Sequence, residues 1–68
     1  MKYAVELKKN GMYVTGHQPT WKNIAIKTAK KEAAKKKYDV FIIWHRSSDG
    51  QNGYLNPNGD HSITGVAF

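Results

Sequence analysis

Residues 38–46 read YDVFIIWHR, a stretch that is apolar at five successive positions, Val40 to Trp44, and rich in β-branched and aromatic types. This predicts the central strand of a sheet. Side chains alternate along a strand, so Val40, Ile42 and Trp44 share one face while Phe41, Ile43 and His45 share the other. Both faces are apolar, and whatever covers the first leaves the second to be explained.

Immediately upstream, residues 20–37 read TWKNIAIKTAKKEAAKKK, dominated by alanine and lysine, both good helix formers. Thr20, after Pro19, is the expected N-cap, with Trp21 opening a helix that runs to about residue 37. Asn23 occupies the place of a capping-box glutamate, so that box is incomplete. At 100° per residue, Ala25, Ile26, Ala29 and Ala33 form one stripe with Trp21 at its start, and Lys27, Lys30, Lys31 and Lys35 gather opposite. A stripe of small residues lets the helix lie close to a sheet with large side chains. Lys35, Lys36 and Lys37 also suit the negative pole of the helix dipole.

The N-terminal stretch, YAVELKKNGMYVTG (3–16), alternates with period two around Asn10-Gly11, a pair that tolerates the positive φ of a tight hairpin turn. Strands are expected at about 2–9 and 12–16. A two-residue turn sets Leu7 opposite Val14 and Lys9 opposite Met12. Tyr3, Val5, Leu7, Met12 and Val14 then face one way, and Ala4, Glu6, Lys8, Tyr13 and Thr15 the other. Beyond the central strand, SSDGQNG (47–53) reads as a loop, YLN (54–56) as a short strand, PNGD (57–60) as a turn with Pro57 at its second position, and SITGVAF (62–68) as a last strand.

The order β, β, α, β, β, β, with a right-handed crossover at the helix, places the third strand beside the first. The expected fold is α+β, ββαβββ: a mainly antiparallel twisted sheet in the order 2-1-3-4-5, with one basic amphipathic helix packed on one face. One helix cannot cover both sides of such a sheet. Phe41, Ile43 and His45 are therefore expected on an open face beside Tyr13, and exposed apolar clusters of that kind mark contact sites.

Sixty-eight residues with 40% hydrophobic content make a single small domain, 1–68, with one thin core. Cysteine is absent, which removes disulfides and thiolate-bound zinc and fits a reducing, cytoplasmic setting. The longest apolar run is too short to span a bilayer, and the chain enters a strand-like pattern without an apolar signal segment, so no membrane partner is expected. The net charge of +6 is placed unevenly. Residues 20–37 carry seven lysines against Glu32, whereas Lys2, Lys8, Lys9 and Arg46 are balanced elsewhere by Glu6, Asp39, Asp49 and Asp60. The whole excess lies in the helical segment, where it attracts anions.

Lys27, Lys30, Lys31 and Lys35 recur at helical spacing and could neutralise successive phosphates; the plainer alternative is a solvated face that keeps a small protein soluble. Arg46 is the only residue able to offer a guanidinium fork to phosphate or guanine. The strand aromatics Tyr13, Phe41, Trp44 and Tyr54 are candidates for stacking unpaired bases, against the alternative that Phe41 and Trp44 are core or cover a dimer contact. His17, His45 and His61 are too scattered for a zinc-ligand pair, and DGQNGYLNPNGD (49–60) lacks the alternating acids of a calcium loop, so no metal or cofactor is expected. No nucleophile elbow, phosphate-cradling glycine loop or paired carboxylates are present, and the chain is expected to be non-enzymatic.

The stretch KKEAAKKK (30–37) resembles the basic helix start of double-stranded RNA-binding domains, although in that family the motif opens a helix that follows three strands. In length, lack of cysteine and a compact sheet with one helix, the chain also resembles the small phage-encoded anti-CRISPR proteins. That second resemblance is architectural, with no shared motif, and implies a non-catalytic inhibitor that docks on a host nucleoprotein complex through charged residues. The expected function is a binding module for nucleic acid or a nucleoprotein complex, using Lys27, Lys30, Lys31 and Lys35 with Arg46, Tyr13 and Phe41. The alternative is docking on an acidic protein through the helix or the open sheet face, and a homodimer through that face is a third possibility.

Overall fold

The computed structural model describes residues 1–63 and 68. Its elements are β1 (Lys2–Lys9), β2 (Met12–Gly16), α1 (Lys22–Ala34), β3 (Asp39–His45), β4 (Asn52–Leu55) and β5 (His61–Ser62). All four ladders are antiparallel and the strand order is β2-β1-β3-β4-β5, the expected α+β topology with an open twisted sheet. No helix among the described residues is long and apolar enough to cross a membrane.

The core follows from alternation. Tyr3, Val5 and Leu7 of β1, Val40, Ile42 and Trp44 of β3, and Leu55 of β4 point to one face and are buried beneath Ala25 and Ala29 of α1. Each fully buried aliphatic side chain contributes about 1.5–3 kcal/mol. Alanine at both fully buried helix positions, with Ile26 and Ala33 packed beside them, keeps α1 close to these larger side chains. The hairpin turn adopts the expected geometry, with Asn10 at φ 54° and Gly11 at φ 78°, the pair of positive values that matches the twist of the flanking strands. Pro57 takes the second position of the later turn, closed by the Gly59 amide donating to the Asn56 carbonyl at 2.9 Å.

Trp44 organises the far end of the sheet. Its indole Nε1 donates to the Tyr54 carbonyl at 2.9 Å, and the His61 ring stacks on it with centroids 4.8 Å apart. The Tyr3 hydroxyl and His61 Nε2 are hydrogen-bonded at 3.0 Å, which ties the short β5 to β1 across the sheet. Gly53 makes this packing possible. A Cβ there would lie 2.5 Å from the Ser62 carbonyl oxygen and 3.1 Å from the indole.

Several boundaries differ from expectation. The helix is capped by Trp21, not Thr20, because both backbone groups of Thr20 are engaged by Tyr3, at 2.9 and 2.8 Å, as a bridge continuing the sheet edge. Trp21 consequently stands off the alanine stripe and is 60% exposed. The helix ends at Ala34 rather than 37, since Lys36 turns left-handed (φ 53°) and its amide closes on the Ala33 carbonyl at 3.1 Å. A β-bulge shifts the β1–β2 register, so Leu7 lies opposite Thr15 rather than Val14. All of β2 is exposed, and Met12 and Val14 do not join the core side. β4 begins two residues earlier than expected and stops at Leu55. Among the described residues the last strand spans His61–Ser62, one residue earlier than expected at its start, and residues 64–67 of the anticipated SITGVAF strand lie outside the described residues.

Candidate nucleic-acid interface

Burial of Ala25 and Ala29 fixes the rotation of α1, and with it the direction of every lysine on the helix. Lys27, Lys30 and Lys31 are exposed on the side away from the sheet, as the periodicity requires. None of the three has a carboxylate within ion-pair distance among the described residues. Lys35 differs. Its Nζ donates to Glu32 Oε1 at 2.9 Å, and this hydrogen bond, with the attraction of Lys35, His17 and Lys31, holds the Glu32 carboxyl below its usual range against the opposing effect of burial. His17 Nε2 lies 3.9 Å from the same oxygen. Among the described residues the ridge is therefore three ammonium groups without an ion-pair partner and a fourth held by Glu32.

The open face of the sheet is built from the residues that alternate with the core. Ala4, Phe41, Ile43 and Tyr54 are half-buried at its centre, and Tyr13, 61% exposed, lies opposite Lys8 at the β2 margin. Phe41 and Tyr54 make a tilted aromatic pair with centroids 5.6 Å apart, and Lys8 Nζ sits 4.9 Å from the Phe41 ring centre. Glu6 stands opposite Phe41, and Asp39 opposite Lys8, so this face carries both signs of charge. Trp44 is only 4% exposed and belongs to the core rather than to a stacking surface.

Arg46 follows β3 and lies 5.7 Å from the Trp44 ring, on the side of the sheet opposite Phe41. Its guanidinium donates to Asp49 Oδ2 at 3.3 Å. The Gln51 amide, at 3.0 Å, and then Arg46 hold the Asp49 carboxyl below its usual range. One arm of the only guanidinium fork is thus already occupied.

The seven expected site residues do not form one surface. Lys27, Lys30, Lys31 and Lys35 lie on the outer side of α1, Tyr13 and Phe41 on the opposite face of the molecule, and Arg46 at the β3–β4 loop. Three lysine–aromatic pairs had not been anticipated: Lys8 over Phe41, Lys2 with its Nζ 4.2 Å from the Trp21 ring centre, and Lys37 beside Tyr38. Alternation along β1 already turns Lys2 and Lys8 to the side away from Tyr3, but finding their rings needs the strand register. Among the described residues no three His, Asp or Glu side chains cluster as metal ligands. No family model matches the chain, and no curated protein or solved structure matches it either.

Proposed function

We propose that the protein is a non-enzymatic binding module that grips nucleic acid, or the nucleic acid of a nucleoprotein complex, through the outer face of α1. The observation that carries this reading is the exposure of Lys27, Lys30 and Lys31 on one side of a helix with no carboxylate partner among the described residues. Adjacent positions on such a face are about 5–6 Å apart, so the three charges act together on one anionic strand. Lysine offers point charges rather than bidentate forks, and the grip should be independent of base sequence.

Three phosphate contacts at a slope of about −0.9 each predict that a fourfold rise in salt weakens duplex binding about 40-fold. Fluorescence anisotropy of labelled oligonucleotides measures this directly. A Lys27→Glu, Lys30→Glu, Lys31→Glu variant should keep its circular dichroism spectrum and lose binding, whereas Lys35→Gln combined with Glu32→Gln, which removes the pair and leaves the net charge unchanged, should change little. Duplex and single-strand affinity unaltered by the triple charge reversal would reject the reading.

A second reading, docking on an acidic protein in the manner of a small inhibitor of a host complex, draws support from the half-exposed Phe41, Ile43 and Tyr54 of the open face. It predicts a purified protein partner whose binding survives nuclease treatment and is lost in Ile43→Ser. A sedimentation mass that rises with concentration in the native chain but not in Ile43→Ser would instead identify a second copy on that face.

A further inference from the structure

Two lysine pairs that are far apart in sequence converge at one end of the molecule. Lys8 and Lys9 from the end of β1, and Lys36 and Lys37 from the connection between α1 and β3, line a cleft of about 370 Å³ together with Asn10, Ala33, Tyr38, Asp39 and Phe68. Ala33, Tyr38 and Phe68 are partly buried against the core and give the cleft a packed floor. Four lysines against the single acidic side chain of Asp39 give the lining a formal side-chain charge of +3, with the Lys8 ammonium also lying 4.9 Å from the Phe41 ring centre. The negative end of α1 lies here too, but a helix terminus carries only about half a charge, so a dipole cap accounts for a small part of this excess. The cleft would stay positive with one further carboxylate at its rim.

The backbone gives an independent sign. Among the described residues only Asn10 and Lys36 are non-glycine residues with a left-handed conformation, φ 54° and 53°, and both line this cleft. Asn10 is an ordinary choice for its turn. Lys36 is not: it holds the position just past the helix C-cap, where glycine relieves the steric conflict of a Cβ. Strain kept at such a place points to a use for the side chain. The Lys37 ammonium is steadied 5.4 Å from the Tyr38 ring centre, partly ordered before any ligand arrives.

We propose that this cleft is a binding site for phosphate groups in series, held by Lys8, Lys9, Lys36 and Lys37. The source is either the backbone of the nucleic acid gripped by α1 or a free oligophosphate; the site rests on the preceding reading only for the first of these. Inorganic tripolyphosphate, titrated into the full chain at constant ionic strength, is the probe. Backbone amide NMR should show saturable shifts concentrated at Asn10, Gly11, Lys36 and Lys37. A Lys9→Gln, Lys37→Gln variant should bind at least about tenfold more weakly at an unchanged melting temperature, the size expected when charge-assisted contacts are removed. Lys36→Gly should melt higher than the native chain yet bind tripolyphosphate less tightly, a divergence that a purely structural lysine does not produce.

Shifts spread evenly along the α1 lysines, or native affinity in both variants, would overturn the site. An oligonucleotide arm separates the sources. Duplex affinity reduced in the Lys9→Gln, Lys37→Gln variant assigns the phosphates to nucleic acid, and unchanged duplex affinity beside lost tripolyphosphate affinity assigns a free oligophosphate; either supports the cleft. Duplex binding that survives reversal of Lys27, Lys30 and Lys31 ends the preceding reading and leaves the tripolyphosphate result untouched.

Discussion

On the helix side of the sheet, Val5, Val40, Ile42 and Leu55 are sealed from solvent; on the other side Ala4, Phe41, Ile43 and Tyr54, drawn from the same strands and alternating with them, remain half-exposed. The first set is closed by a helix whose fully buried residues are alanines, and the second is closed by nothing among the described residues. The two faces are nearly alike in composition along β3. What separates them is a single helix about 20 Å long, thirteen residues at 1.5 Å each, which can shield only one side. Having no acidic residue in its first turn and Glu32 as its only carboxylate, the same helix turns lysines outward. The element that completes the core is also the one that charges the surface.

The contrast can be broken most sharply at neighbouring positions of β3. Ile42→Ala should cost about 2–5 kcal/mol in chemical denaturation, because it opens a cavity under α1, whereas Ile43→Ala should cost well under half as much. Equal losses at the two sites would mean that the open face is covered in solution. Next in size is Gly53→Ala, whose methyl would meet the Ser62 carbonyl. Since a backbone atom cannot turn aside, the expected cost is about 1–3 kcal/mol, with broadened amide signals in β5.

The smallest effect concerns the ridge. Glu32 has a lowered pKa when folded, so the stability it contributes is complete above the usual glutamate value of about 4.3 and is lost as pH falls through its folded value. Glu32→Gln should therefore lower the melting temperature at neutral pH by the equivalent of about 0.3–0.5 kcal/mol, the worth of a screened pair one helical turn apart, and match the native protein in acid. A difference that persists in acid would show that the carboxylate charge is not the cause.

The topology was readable because its signals are local. Asn10-Gly11 requires a turn that few other pairs accept, and alternation in YDVFIIWHR fixes which side chains share a face, so strand order and the open face both followed. The misread positions depend on partners that sequence does not show. Thr20 has the chemistry of a cap but is held by Tyr3, seventeen residues away, and the helix starts after it. The bulge opposite Leu7 follows from no residue signature in β2, yet it returns Val14 to solvent. For the interface, the outward direction of Lys27, Lys30 and Lys31 was legible in helical periodicity. Grouping them with Tyr13, Phe41 and Arg46 was not supported, since charge and aromaticity count residues without saying which side of the sheet they occupy. The cleft at the opposite end of the sheet from Trp44 was invisible for the same reason: Lys9 and Lys36 are twenty-seven positions apart.

The bulge in β2 also governs how this chain meets copies of itself. An incoming strand needs outward N–H and C=O groups at regular intervals, and one inserted residue throws those of β2 out of step, while among the described residues the other margin is the two-residue β5. Addition of a further strand along β2, the route by which open sheets template fibrils, is thereby disfavoured at its first rung.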